Sequence, residues 1–121
     1  MQQERGVVGE IMDGVSDLMK RVINNEIVSL EDRKEQASRL VDYQQADLVT
    51  LELLPQTLNR NPLVREMAMR GIIAVNGTND KNNKSKEIDR KVYDRVLSLI
   101  KDDEEEPIVK ELAGDYLRNN S

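Results

Sequence analysis

The residues with the clearest binding chemistry are basic side chains that recur at similar places in each third of the chain. They are Lys34, Arg39, Arg65, Arg70, Lys110 and Arg118. One interpretation is a charged ridge that binds an acidic peptide or the phosphates of a nucleic acid. The other is a structural ladder that bonds neighbouring carboxylates and turn carbonyls. We favour the ladder for Arg65 and Lys110, because their place is tied to a repeated motif. Arg39 and Arg70 are the better contact candidates, and the predicted partner-binding set is Arg39, Arg70, Arg65, Lys110 and Arg118.

Catalytic chemistry has little support in the residue types present. The chain has no histidine and no cysteine, which removes the commonest general base, the commonest zinc ligand and any thiol nucleophile. Paired carboxylates occur, such as Asp13 and Asp17 one helical turn apart, but no serine lies beside a plausible base. We therefore expect a protein that is not an enzyme and that carries no cofactor or metal.

Two charged segments allow both a functional and a structural interpretation. The acidic run 102–106 resembles calcium-binding sequences only in charge, because it has no central glycine and Pro107 follows it directly. We interpret it as a solvated turn that places negative charge at a helix N-terminus. The segment 77–91 holds five basic residues that could contact phosphates, but also three acidic residues and no aromatic ring to stack on bases. We interpret it mainly as a solvated loop.

Composition favours one folded domain built from helices. The chain has 121 residues, 38% hydrophobic and 34% charged, with a formal net charge of −5. There are three tyrosines but no phenylalanine or tryptophan, which suits helices packed on helices. The negative charge argues against a surface that binds nucleic acid as a whole. No apolar run approaches the roughly 18 residues of a membrane helix, and the N-terminus lacks a signal-peptide layout. We expect a soluble, cytoplasmic protein with no membrane partner.

One seven-residue motif occurs twice, 45 residues apart. Pro62 to Ala68 reads PLVREMA, and Pro107 to Ala113 reads PIVKELA. A weaker copy, Lys34 to Ala37, shares the core of a basic residue, Glu, any residue and Ala. Proline is favoured in the first turn of a helix, so both prolines predict helix starts. Repetition at this period is typical of stacked helical units.

Hydrophobic periodicity extends the repeat into six predicted helices, over about 7–24, 30–43, 48–58, 62–76, 86–101 and 107–118. Ser29 and Asp47 are the predicted N-caps of the second and third helices, and Pro55 should kink or shorten the third. We therefore predict an all-α fold in a single domain over 1–121. Its six helices form three stacked hairpins over about 7–43, 46–76 and 86–118, with a polar loop over 77–85.

An apolar residue lies fourteen residues before each repeated alanine, which predicts one packing register for all three hairpins. The apolar residues are Ile23, Leu54 and Leu99, and the alanines are Ala37, Ala68 and Ala113. We expect the alanines to be buried where helices touch. On the third helix, the stripe expected to face inward is formed by Leu51, Leu54 and Leu58.

These segments resemble the HEAT-repeat family of α-solenoids. The stretch from Leu51 to Ile72, LELLPQTLNRNPLVREMAMRGI, is similar to a HEAT unit, with an apolar first helix, a short polar turn, Pro, and Val-Arg opening the second helix. The stretch VLSLIKDDEEEPIVKELAGDYL, from Val96 to Leu117, is similar, with Lys110 in place of the arginine. The first unit departs from the pattern, since it has no proline. The resemblance implies a right-handed superhelix whose second helices line a concave, partner-binding face.

The expected function is that of a non-catalytic adaptor or scaffold, because most proteins of this kind bind other proteins rather than catalyse reactions. The expected partner is another protein, one with an acidic segment among the candidates, bound along the second helices. Two alternatives stay open. One is a small helical oligomer, such as a phage or viral packaging or assembly component, and the other is a nucleic-acid-binding accessory protein.

Overall fold

The computed structural model describes residues 2–77 and 85–120, which fold into six α-helices and two short 3₁₀ segments. The α-helices are α1 (Gln2–Ile23), α2 (Leu30–Arg39), α3 (Ala46–Leu53), α4 (Pro62–Asn76), α5 (Lys86–Lys101) and α6 (Pro107–Asn120). The 3₁₀ segments, Leu40–Tyr43 and Leu54–Leu58, directly continue α2 and α3. No strand occurs in the described ranges, so the predicted all-α class is confirmed.

Polar caps and prolines set the starts of several helices. The Ser29 hydroxyl accepts the backbone N–H of Asp32 at 3.1 Å, which confirms the predicted cap of α2. The side chain of Asn61 caps α4 in the same way, immediately before Pro62. As predicted, α4 and α6 begin at Pro62 and Pro107, where the missing proline N–H has no intrahelical partner to lose.

The predicted cap at Asp47 is wrong. α3 begins at Ala46, and its N-cap residue Gln45 makes no side-chain cap hydrogen bond. Asp47 Oδ2 instead accepts the backbone N–H of Ser85 at 2.9 Å. Because the Ser85 side chain caps α5, this hydrogen bond joins the starts of α3 and α5. The Asp47 carboxylate, which the local sequence predicted to cap its own helix, therefore accepts a hydrogen bond from the residue that caps α5.

Helix boundaries differ from the predicted ones mainly where the helix type changes. The second predicted helix is α-helical to Arg39 and then tightens into a 3₁₀ segment. Pro55 shortens the third helix as predicted, because α3 ends at Leu53 and a 3₁₀ segment with proline in its first turn follows. α1 begins at Gln2, ahead of its predicted start near Val7. Most of the predicted polar loop, 78–84, lies outside the described residues.

The predicted second helices pack side by side, with α4 in the middle. α4 contacts α2 on one flank and α6 on the other, while α3 packs on α4 and α5 packs on α6. α1 packs chiefly against α3 and α4. Ile23, predicted to face inward from α1, is 51% exposed, and Ile27 fills the core instead. The fourteen-residue register therefore does not hold for the first unit, and the right-handed superhelix stays a prediction.

Small residues allow close helix packing around α4. The repeated alanines are buried, at 0% exposure for Ala68 and Ala113, which confirms them as packing positions. Gly71 has no room for a side chain without repacking. A Cβ there would lie 2.7 Å from Leu53 Cδ1 and 2.8 Å from Leu40 Cδ1. Since both leucines are buried core residues, α4 approaches α3 and the first 3₁₀ segment closely at this point.

The inward stripe predicted for the third helix is wrong at two of its three positions. Leu51 is 40% exposed and Leu58 is 64% exposed, while Val49 and Leu53 are fully buried. This helix is apolar on more than one face, so periodicity alone allows two stripes. The change to three residues per turn after Leu53 also rotates later side chains away from an α-helical stripe.

Candidate partner-binding groove

The Arg65 side chain makes most of its hydrogen bonds within the protein. Its Nε and Nη2 donate to the carboxylate of Glu105 at 2.7–3.1 Å. Its Nη1 donates to the carbonyls of Asn59 at 2.8 Å and Arg60 at 3.1 Å. The side chains of Arg65 and Glu105 are 16% and 3% exposed. Arg65 therefore joins the turn before α4 to the turn before α6, and its donors are already committed to groups of the protein.

The acidic run 102–106 is thus not simply a solvated turn. Glu105 is buried and accepts from Arg65, while its four neighbours in the run are exposed. Asp102 Oδ1 accepts the backbone N–H of Glu104 at 3.0 Å, which shapes the turn. Within the described ranges, no group of three or more acidic side chains is arranged to hold a metal ion.

A buried ion-pair cluster, the Glu66 cluster, joins α2 to α4. Glu66 is 3% exposed and accepts from Arg70 Nε at 2.8 Å, one turn along the same helix. It also accepts from Arg33 Nη1, on α2, at 3.2 and 3.3 Å. The two arginine side chains are 11% (Arg70) and 23% (Arg33) exposed. Arg70, predicted as a partner contact, is therefore also held in place by a buried carboxylate.

The remaining predicted contact residues have simpler surroundings. Arg39 lies 61% exposed on α2 and pairs with Glu35 at 3.0 Å. Arg118 is exposed on α6 and pairs with Asp115. Lys110 is half-buried and has no ion pair within the described part of the chain. None of these three side chains lines the groove between α2, α4 and α6.

A groove of about 290 Å³ runs between α2, α4 and α6. It is lined by Lys34, Ala37 and Ser38 of α2, by Arg70, Ile73 and Ala74 of α4, and by Leu112 of α6. Four of these side chains are aliphatic and two are cationic, and no carboxylate is among them. Of the predicted contact set, only Arg70 lies in the groove. Lys34, the other basic residue that lines it, was singled out with the recurring basic positions but not included in the predicted set.

A second cleft, of about 320 Å³, lies on α5 and α6. It is lined by Lys86, Asp89, Arg90, Tyr93 and Tyr116. The basic segment 77–91 was expected to lack an aromatic ring, but it does have aromatic neighbours in the fold. Tyr93 lies on the same face of α5 as Lys86 and Arg90, and α6 contributes Tyr116. Burial, with a smaller contribution from the Asp89 carboxylate, raises the pKa of Tyr116 to about 12. Lys81 and Lys84 lie outside the described residues.

Sequence reasoning missed Arg33 and Glu66 as functional candidates. The spacing of Glu66 and Arg70 is a visible signal, since residues four apart on a helix face each other. The contact with Arg33 spans 33 positions, and no periodicity within one helix predicts it.

Comparison with protein-family models, curated proteins and solved structures finds no match to this chain. In the described ranges, none of the helices combines the length and the apolar character needed to cross a bilayer. The HEAT-like resemblance therefore stays a prediction that rests on the repeated residues.

Proposed function

We propose that the protein is a non-catalytic adaptor or scaffold that holds a segment of another protein along α2, α4 and α6. The single observation that supports this proposal is the groove between those helices, which is lined by four aliphatic and two cationic side chains. Pockets that anchor a partner's apolar side chains are the usual basis of helix-in-groove recognition. We place this function in the cytoplasm, because a chain without cysteine needs no oxidising compartment.

The floor of the groove suits a small apolar anchor. Its aliphatic lining consists of Ala37, Ile73, Ala74 and Leu112. A volume of about 290 Å³ accommodates one or two aliphatic side chains rather than a whole drug-sized molecule. The partner would thus be a segment of polypeptide that inserts anchors, with the surrounding helices covering the rest.

A peptide-display selection tests this proposal. Short random peptides are selected on the wild-type protein and then measured against Ala74→Trp, which fills the groove from a half-exposed position. Selected peptides should lose most of their binding to this variant. The matched control is Ser98→Trp, because Ser98 is exposed on α5 and does not line the groove. Equal binding to both variants would place the contact elsewhere, and failure to enrich any peptide would contradict the proposal.

A second candidate function, binding of single-stranded nucleic acid, is favoured by the cleft that joins Lys86 and Arg90 to Tyr93. Bases stack on aromatic rings while cations neutralise phosphates, and Tyr93 is 48% exposed. Anisotropy of labelled oligothymidylate should then show weaker binding for Arg90→Ala and Tyr93→Leu. Lys91→Ala is the control, because Lys91 lies next in sequence, pairs with Glu87 at 3.9 Å and does not line the cleft. Equal binding by all variants would reject this candidate.

A third candidate, the small helical oligomer, is favoured by exposed apolar side chains, including Val28 at 62% and Leu58 at 64%. An interface between copies of the chain would bury such side chains. Light scattering separates the candidates. The adaptor proposal expects the mass of a single chain, and a particle with the mass of a ring would favour the assembly component.

A further inference from the structure

The Glu66 cluster carries more positive than negative charge. Two guanidinium groups, Arg33 and Arg70, share one carboxylate, which leaves an excess of one positive charge at a largely buried place. Lys34 adds another at the rim, and it forms no ion pair among the residues that the structure describes. Charges in such a partly desolvated site are screened weakly by salt. A chain with a net charge of −5 thus presents, in this groove, a surface of the opposite sign.

Arg70 has N–H donors that its contact with Glu66 does not use. A guanidinium has five N–H groups, and within the described part of the chain Arg70 uses only its Nε–H, toward Glu66. No fully buried side-chain nitrogen or oxygen in the described ranges lacks a hydrogen-bond partner. The terminal nitrogens of Arg70 are therefore solvent-accessible, on a side chain that is otherwise only 11% exposed. Glu66 holds the Arg70 guanidinium group in place, which reduces the entropy that Arg70 loses when it binds a carboxylate.

We propose, on the basis of the function proposed above, that the groove binds a partner's carboxylate that lies next to an aliphatic side chain. The partner's Asp or Glu accepts two hydrogen bonds from the terminal nitrogens of Arg70, as guanidinium and carboxylate groups pair in other proteins. Its aliphatic neighbour packs on Ile73 and Leu112, and a second acidic residue pairs with Lys34. Arg70 is the specificity residue, and Glu66 is a positioning residue that acts through it.

The composition of the groove favours a peptide carboxylate over a nucleic-acid phosphate. No aromatic side chain lines it, so bases have nothing to stack on. Its aliphatic lining residues give an apolar amino-acid side chain a place beside the cation, which a sugar–phosphate backbone cannot use. The expected partner segment is thus acidic and amphipathic.

The test uses labelled peptides from the display selection and matched versions in which each Asp or Glu is replaced by Asn or Gln. Arg70→Gln should weaken binding of the acidic peptide by about tenfold or more, since hydrogen bonds to charged groups are the strong ones. The amide peptide should bind equally to wild type and Arg70→Gln, so that the two changes are not additive. Arg60→Gln, which removes an exposed arginine outside the groove, is the control and should change little.

Glu66→Gln tests the positioning role. It should reduce the preference for the carboxylate peptide over its amide form, while binding of the aliphatic anchor persists. If this variant does not fold, Arg70→Gln still decides the proposal. Unchanged binding by Arg70→Gln, together with loss of binding by Ala74→Trp, would overturn the carboxylate inference and leave the adaptor function standing. Tighter binding of a phosphoserine version would overturn it in favour of a phosphate reader, and failure to select any peptide would remove both.

Discussion

Two ion pairs with the same spacing lie at equivalent places in the first and second copies of the sequence motif, and they differ in how deeply they are buried. Glu35 and Arg39 pair at 3.0 Å on α2 and are 57% and 61% exposed. Glu66 and Arg70 pair at 2.8 Å on α4 and are 3% and 11% exposed. The local sequence rule that places residues four apart on one face predicts both pairs equally. The environment differs because α4 has α2 and α6 on its two flanks.

The difference teaches that the neighbours of a helix, rather than its motif, decide what a recurring residue does. The α2 pair is a solvated surface contact, which contributes little to stability. The α4 pair gains Arg33 from the neighbouring helix and thereby links α2 to α4. In the third repeat, position 115 holds aspartate, and Asp115 pairs with Arg118 instead.

The largest effect should come from removing the buried carboxylate. Glu66→Ala leaves Arg33 and Arg70 facing each other without their common partner, and breaking a buried ion pair on one side costs about 3–5 kcal/mol. We expect the lower end of that range, because both arginines keep some contact with water. Urea unfolding followed by circular dichroism measures the loss. A cost below 1 kcal/mol, roughly that of a surface pair, would remove the distinction between the two pairs.

The next effect concerns the repeated alanines on the same two helices. Ala68→Leu should destabilise the protein by about 1–3 kcal/mol, because overpacking a filled core forces side chains and backbone to shift. Ala37→Leu should cost less, since Ala37 lines the groove and a larger side chain can extend into it. Thermal denaturation of both variants beside wild type gives the order. A larger loss for Ala37→Leu would show that the end helix is packed as tightly as the middle one.

A pH titration extends the comparison to α6, the other flanking helix. The raised pKa of Tyr116, about 12 against an ordinary 10.0, means that the folded state favours the neutral phenol. Between those values the unfolded chain releases this proton first, so stability falls as pH rises from 10 to 12. Below pH 10 this group contributes no pH dependence. Tyr116→Phe should show a shallower alkaline loss of the urea midpoint, and identical slopes for both proteins would contradict the assignment.

The smallest effect should come from the exposed pair on α2. Glu35→Ala should cost only about 0.3–0.5 kcal/mol, the usual value for an exposed helical pair. Added sodium chloride should reduce this difference further, because salt screens exposed charges. The same urea experiment at low and high salt measures it. A salt-independent cost above 1 kcal/mol would contradict the solvent exposure of the Glu35–Arg39 pair.

The sequence allowed the local features of this fold to be predicted, and tertiary contacts account for the rest. Helix starts at Pro62 and Pro107 and the cap at Ser29 depend on residues that are neighbours in the chain, so their chemistry is visible in the sequence. The burial of Ala68 follows from its place in a repeated motif. Asp47 was assigned to the wrong partner because Ser85 lies 38 positions away, and no local rule includes it.

The candidate site shows the same division. Arg70 was selected as a contact from its recurrence, and it does lie in the groove. The contact between Glu66 and Arg70 can be predicted from their spacing of four residues on one helix. The second arginine of the cluster, Arg33, lies on another helix and cannot be predicted in this way. Leu51 and Leu58 failed as core residues because α3 is apolar on more than one face, so only packing against α4 selects the buried stripe.

The hydrogen bond between Asp47 and Ser85 also makes the connection between α4 and α5 a convenient place for protein engineering. Because this bond and the side-chain cap of Ser85 locate the start of α5 on α3, the number of residues spliced between Gly77 and Ser85 need not set where α5 docks. Loop closure costs only about 0.6 kcal/mol for each doubling of loop length. A fluorescent reporter, an affinity tag or a new pair of chain termini could therefore be introduced there, with the groove on α2, α4 and α6 left intact for binding measurements.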